Sequence, residues 1–455
     1  MSEQLSVDAA ALRDALARRV AFRTESQNPE RAADLRAYLS EEIGPSLAAL
    51  GFAWTIWDNP VAGRPPFLFA ERIEGAGLPT VLMYGHGDVV RGDDARWTQS
   101  ASPWRLEQRG NRWYGRGTAD NKGQHTVNLA AIEALLRARG GLGCNLKWLF
   151  EMGEEIGSPG LRAVCEAHRA RLAADALIAS DGPRLRADRP TLFFGSRGCF
   201  NFELGCRLRE AAHHSGHWGG LLANPGTILA HAIAALVDAR GRIRVPALRP
   251  PPIPPGVRRA LAAIEPGEPG GPAIDADWGE PGLTPAERVF GFNTLEVLAF
   301  QTGNPQHPVN AIPGHASAHL QLRFVAGCDP ATFLPALRAH LDAHGFASVQ
   351  VRAARSETMA ATRLDPDHPW ARWAAASVAR STGAAPAILP NLGGSLPNDC
   401  FADVLGLPTI WVPHSYPACA QHAPDEHLLV DVALQGVAIM AGLLRDLAEA
   451  PVPRP

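Results

Sequence analysis

Three short apolar runs within the first 181 residues each finish on a histidine or an acid, and that pattern narrows the possible folds sharply. They are PTVLMYGHGD (79–88), NLKWLFEMGEE (145–155) and DALIASD (175–181). Runs of this length without polar alternation read as strands buried on both faces, as in layered α/β domains. Helical patterns at 122–139 and 161–172 supply the covering layers. Ligands in open α/β sheets collect beyond the carboxyl ends of the strands, which is where these polar residues fall.

The texture changes between about 197 and 357. Alternating runs at 199–207 and 316–325 flank a helical stretch near 225–238, and another helix follows Asp329, the marks of a smaller α+β unit. Residues 246–285 hold eleven prolines and read as an extended, surface-wrapping loop. From about 358 the first pattern returns, with a helix at 369–382, a loop at Gly393 and Gly394, a strand at 408–412 and a final helix. The expected organisation is an α/β domain built from 1–196 and 358–455 and interrupted by an inserted lid of 197–357.

A formal net charge of −3 over 455 residues offers no basic footprint for nucleic acid and no polybasic membrane patch. No stretch approaches the roughly 18 apolar residues of a membrane span, and the first 22 residues carry acids at helical spacing, unlike a secretion signal. Seven scattered cysteines, an odd number without a CxxC, point to reduced thiols and a cytoplasmic enzyme.

The polar groups at the strand ends suit metal chemistry. His86 offers an imidazole, and Asp88 two residues on can fix its other ring nitrogen. Asp120, in YGRGTADNKGQ, either caps the helix that starts near 122 or bridges two cations. Glu154 and Glu155 are adjacent and so point in different directions, leaving one free for proton transfer while the other binds metal. Asp181 and His422 follow further strands. Each alone reads equally as a turn residue; the set together points to a two-metal site.

These segments resemble the peptidase family that includes carnosinases, aminoacylases, succinyl-diaminopimelate desuccinylases and glutamate carboxypeptidases. The matching stretches are GHGD, WRLEQRGNRWYGRGTADNKGQ, FEMGEEIGS, ASDGP, HSGHWGG, VNAIPGHASAHLQLRF, GGSLPNDCF and QHAPDE, in family order along nearly the whole chain. The resemblance implies a zinc-peptidase catalytic domain with a mixed sheet flanked by helices, interrupted by a lid and dimerisation domain. It implies two Zn2+ (Mn2+ or Co2+ in the same site), one on His86, Asp120 and Asp181, the other on Asp120, Glu155 and His422. Glu154 is then the general base, Asp88 orients His86, and the peptide after Asp120 is cis. His214 reaches the active site of a partner subunit as an oxyanion donor, and Arg323 grips the substrate carboxylate. Asn310, Gly394 and Ser395 add substrate contacts.

The order of motifs is most similar to the carnosinase-like dipeptidase branch, so the expected activity is metal-dependent hydrolysis of an amide or peptide bond next to a free carboxylate. Two departures bear on substrate: Ala212 stands where relatives commonly carry aspartate, and HSYPACAQHAPDE lacks the usual Gly-rich approach to the last ligand. An aminoacylase or conjugate amidase is the nearest alternative. A non-catalytic binding protein on the same fold leaves Glu154 without a purpose, and a Ser/His/Asp hydrolase lacks the GxSxG elbow.

Overall fold

The structure, a computed structural model, describes residues 8–267, 271–354 and 359–449; the expected boundary between 357 and 358 lies outside the described residues. The central strand, Thr80–His86, sends alternate side chains into two different cores. Val81 and Met83 enter one with Ile132, Trp148 and Val437, and Leu82 and Tyr84 enter the other with Leu149, Leu161 and Trp411. Both faces are apolar, which is why the run shows no polar alternation.

Eight strands form this mixed sheet. Thr80–His86 lies parallel to Asn145–Glu151 on one side and to Ala176–Ala179 on the other, with Thr409–Trp411 parallel beyond. Ala53–Trp57 and Phe67–Arg72 extend one side in antiparallel fashion; Thr191–Phe193 and Ala387–Leu389 complete the other. The register sets His86 beside Glu151, so the polar ends of the parallel strands emerge along a single edge. Helices Lys122–Arg139 and Val430–Glu449 pack together over the first core, with Pro369–Thr382 beside them.

A separate four-stranded antiparallel sheet takes Thr294–Thr302, His315–Phe324, Gly198–Arg207 and Val349–Ala353 in that order. Burial alternates along its two central strands. Helices Pro225–Leu236 and Phe333–Ala343 cover the buried face around Phe202, Leu229, Leu320 and Leu337.

Two expectations need correcting. The helix expected at 161–172 is broken into Leu161–Ala167 and Arg169–Leu172. The His168 ring stacks on Trp57 with centroids 3.8 Å apart, and its backbone leaves the helical region there. The proline-rich stretch is not one extended loop: it contains Pro246–Leu248 and Pro255–Leu261 and ends on Pro285–Phe290. Each starts on a proline, whose fixed φ and missing N–H suit a first helical turn. None of the described helices is long and apolar enough to cross a membrane.

Close packing of the last helix makes one position testable. A Cβ on Gly436 would lie 2.6 Å from His414 Nδ1 and 2.9 Å from Val127 Cγ1. The His414 ring has little room to yield, because its Nε2 is 3.0 Å from both Ser180 Oγ and Asn128 Oδ1. Alanine gains about 0.5–1 kcal/mol of helix preference, but overpacking costs about 1–3 kcal/mol. Gly436→Ala is therefore expected to lower the thermal unfolding midpoint; an unchanged or higher midpoint would refute this packing argument.

Candidate metal centre

The strand ends bring five of the expected residues into two groups that share Asp120. His86 Nε2 lies 2.9 Å from Asp120 Oδ1 and 3.6 Å from Asp181 Oδ2. His422 Nε2 lies 3.0 Å from Asp120 Oδ2 and 3.1 Å from Glu155 Oε2. Each oxygen of Asp120 thus faces a different group. Donor atoms about 2.0–2.2 Å from a tetrahedral cation stand about 3.3–3.5 Å apart, close to the 2.9–3.6 Å found here. Asp181 Oδ2 and Glu155 Oε1 are buried without a hydrogen-bond partner. Buried acceptors left in this way need a cation or a proton, so both triads fit a divalent metal ion.

The protonation state of the cluster makes the same point. Burial pushes the carboxyl of Glu155 up to about 7 and that of Asp181 up to about 6, with the charge of Asp120 adding to both. Burial also raises Glu154 well above the usual carboxylate range. For Asp120 burial works in the same direction, but hydrogen bonds to His422 and His86 prevail and hold it below its ordinary value. His422 is raised to about 11 by its contacts with Asp120 and Glu155. Burial opposes charge on His86, yet Asp120 and Asp88 raise it well above the ordinary imidazole value. Protons on these groups supply the positive charge that a cation would otherwise bring.

Local structure explains how each group is held. Asp120 does not cap the helix: Asn121 occupies the cap position, and the Asp120–Asn121 peptide is cis. The Asp120 N–H and the Ala119 N–H donate to Glu426 Oε1 at 3.1 and 2.8 Å, while Glu426 Oε2 accepts from the Gly117 N–H and from Arg116. The Asp88 carboxylate accepts the N–H groups of Glu154 and Glu155, both at 3.1 Å. It lies 3.4 Å from His86 Nδ1, whose shorter contact, 3.0 Å, is the Asp88 backbone carbonyl. His422 sits on a tight loop in which Ala420, His422 and Asp425 all have positive φ, conformations that cost non-glycine residues energy. Asp425 ties that loop to the N–H groups of Thr98 and Gln99.

Sequence reasoning missed Glu426 and Gln421. Gln421 donates from Nε2 to Asp120 Oδ2. Both sit in the QHAPDE stretch quoted above, so the signal was the motif, without anything in it to assign their tasks.

Glu154, Arg323 and Ser395 line two adjoining cavities of about 870 and 580 Å³; the smaller is also lined by Asp120, Asp181, His422 and Gly394. Arg323 Nη1 donates to Ser395 Oγ at 2.7 Å, and Ser395 Oγ donates to the Arg197 carbonyl at 2.7 Å. His214 and Asn310 line neither cavity. His214, on the short ladder of His213–His214 with Ala311–Ile312, and Asn310, just before that ladder, are both exposed, and the Ser215 N–H donates to the Asn310 carbonyl at 2.8 Å.

Metal binding should therefore expel protons. A metal-free cluster with Glu155, Asp181 and His422 all raised retains protons at pH 6.5 that a cation must displace. Calorimetric titration of zinc into stripped protein, in two buffers of different ionisation enthalpy, is expected to show net proton release and weaker affinity as pH falls from 7 to 5. Binding without proton exchange would contradict the assignment.

Comparison with known proteins identifies the family and the fold. Residues 82–446 match the model of peptidase family M20/M25/M40. The mouse beta-Ala-His dipeptidase is 32% identical over 188 residues, 40% of this chain and 38% of that protein. The cysteinylglycine-S-conjugate dipeptidase of Corynebacterium striatum is 34% identical over 169 residues, 37% of this chain and 36% of its own length. The chain thus aligns with under two fifths of the length of either relative. Among solved structures, the di-peptidase Dug1p of Saccharomyces cerevisiae superposes with a TM-score of 0.78 at 22% identity, over 97% of this chain and 96% of that one. The fold is shared across nearly the full length, and the chain belongs to peptidase family M20/M25/M40.

Proposed function

We propose that this protein hydrolyses an amide or peptide bond beside a free carboxylate, with dipeptides and N-acyl amino acids as its substrate class. One observation carries the reading: Glu154 lies beside two groups that share Asp120, belongs to neither, and lines both cavities. A protein that only bound metal has no use for such a carboxyl. The likeness to two dipeptidases supports the substrate class.

His86, Asp120 and Asp181 would hold one divalent cation, and Asp120, Glu155 and His422 a second. The mixed imidazole and carboxylate set suits zinc first, then manganese or cobalt. When bound, the cations polarise the scissile carbonyl and acidify the attacking water. Glu154 accepts a proton from that water on a carboxylate oxygen and returns it to the departing amide nitrogen, a transfer that a raised carboxyl pKa favours. Asp88 holds the Glu154–Glu155 turn and the His86 ring in mutual position. Arg323 offers its planar fork to the substrate carboxylate, with the Ser395 hydroxyl and the Gly394 backbone adding contacts, while Asn310, beside His214, would contribute only to the site of a second copy.

His214 serves a second copy of the chain, where it donates to the developing oxyanion. We accordingly read 197–357 as a lid through which a homodimer forms, and 1–196 with 358–455 as the catalytic domain. Free thiols at all seven cysteines suit a reducing, cytoplasmic setting.

Glu154→Gln is expected to lower kcat on the preferred dipeptide by about 10²–10⁴-fold while metal content by elemental analysis stays that of the wild type. Undiminished turnover would overturn the reading. Mixing His214→Ala with Glu154→Gln after co-refolding is expected to recover about a quarter of wild-type activity, the statistical yield of one intact site per mixed twofold dimer. No recovery would place His214 in its own chain's site, and full activity of His214→Ala by itself would place it outside catalysis.

A further inference from the structure

The smaller cavity beside the metal centre has two chemically distinct parts. One holds Asp120, Glu154, Asp181, His422, Arg323 and Ser395. The other is a wall of Leu185, Phe290, Leu389, Leu392, Leu396 and Pro417. Five of these, all but Pro417, belong to the second core of the α/β layer, so the core itself surfaces in the cavity. An apolar wall in a cavity of about 580 Å³ is what a site uses to take an apolar group, with a few polar residues setting its orientation.

Leu392 fixes where that wall lies. Its Cδ2 would meet a Cβ on Gly182 at 3.1 Å and one on Gly394 at 3.5 Å. It therefore spans from the residue after Asp181 to the residue before Ser395, which is bonded to Arg323. Phe290 extends the wall, with its Cε1 3.5 Å from where a Cβ of Gly393 would be. A carboxylate held by Arg323 and Ser395 brings its own Cα, one bond away, against this loop, and the side chain on that Cα meets Leu392 and Phe290. The charged side chain on this side, Arg184, is buried and donates to the Pro413 and Ala187 carbonyls and to Gln435 Oε1.

Resting on the amide-hydrolase reading, we propose that the enzyme selects substrates whose carboxylate-bearing residue has a bulky apolar side chain, with Leu392 and Phe290 as its specificity-determining residues. The two relatives named above are called dipeptidases for histidine-containing and cysteinylglycine-type substrates; the apolar wall points this chain elsewhere. Seating one such side chain is worth about 10–100-fold in kcat/KM over glycine at the same place.

The test compares zinc-loaded wild type, Leu392→Asn and Phe290→Ala on Ala-Gly, Ala-Asp, Ala-Lys, Ala-Leu and Ala-Phe, with Leu-Gly and Phe-Gly as the reversed series. In parallel, binding of N-acetylglycine and N-acetylphenylalanine to zinc-loaded Glu154→Gln protein is measured by calorimetry. The expected result is a preference for Ala-Leu and Ala-Phe of about 10–100-fold that each variant erodes, read as the ratio of kcat/KM for these peptides to that for Ala-Gly within the same protein. N-acetylphenylalanine should also bind more tightly than N-acetylglycine. Cleavage indifferent to the side chain, or selective only in the reversed series, overturns the proposal. Selective binding without cleavage of any peptide supports the apolar seat and defeats the hydrolase reading instead. Equal binding of the two N-acetyl amino acids defeats the seat.

Discussion

A buried aspartate that must serve two groups at once is the constraint on which this molecule turns. Asp120 lies in a space that also receives Asp181, Glu154 and Glu155. Four carboxyls removed from water repel one another and lose their hydration, which is unfavourable unless positive charge comes between them. Two imidazoles do part of this, one on each oxygen of Asp120. The remaining demand is met by protons or by metal, and the raised carboxyls show how strongly it is felt.

The surrounding structure holds these groups in place against their repulsion. Parallel pairing aligns three strand ends along one edge. Glu426, itself buried against Arg116, clamps the backbone at Asp120 and just before it. Asp88 clamps the turn that carries Glu154 and Glu155. Each support binds backbone N–H groups, so it fixes the path of the chain and leaves the side chains free for chemistry.

Much of this was readable in the sequence because buried strands leave a plain trace. PTVLMY and NLKWLFE lack alternation since both faces meet apolar cores, and whatever follows such a strand must emerge at its end. The helix at Lys122–Arg139 was legible from periodicity. Its cap was not: an aspartate before a helix has two good uses, and the choice between them depends on Glu426, about 300 residues away in sequence. The break at His168 depends on Trp57, which lies far earlier in the chain. The prolines of 246–285 were read as loop formers, although several begin helical turns. His214 and Asn310 were paired with the site by resemblance, and their place at a short ladder away from the cavities follows from pairing between segments almost 100 residues apart.

The contact between Asp120 and His422 closes a separation of 302 residues, and the strand Thr409–Trp411 that precedes His422 inserts between strands contributed by the first half of the chain. A chain made from its amino end therefore holds His86, Asp120, Glu155 and Asp181 with the second triad unfinished until His422 has been added. Contacts this distant in sequence form slowly, because a long loop must close before they return any stabilisation. Completion of the centre thus waits on the segment around His422: a nascent chain that has not reached it, or one truncated before it, can assemble only the group of His86, Asp120 and Asp181.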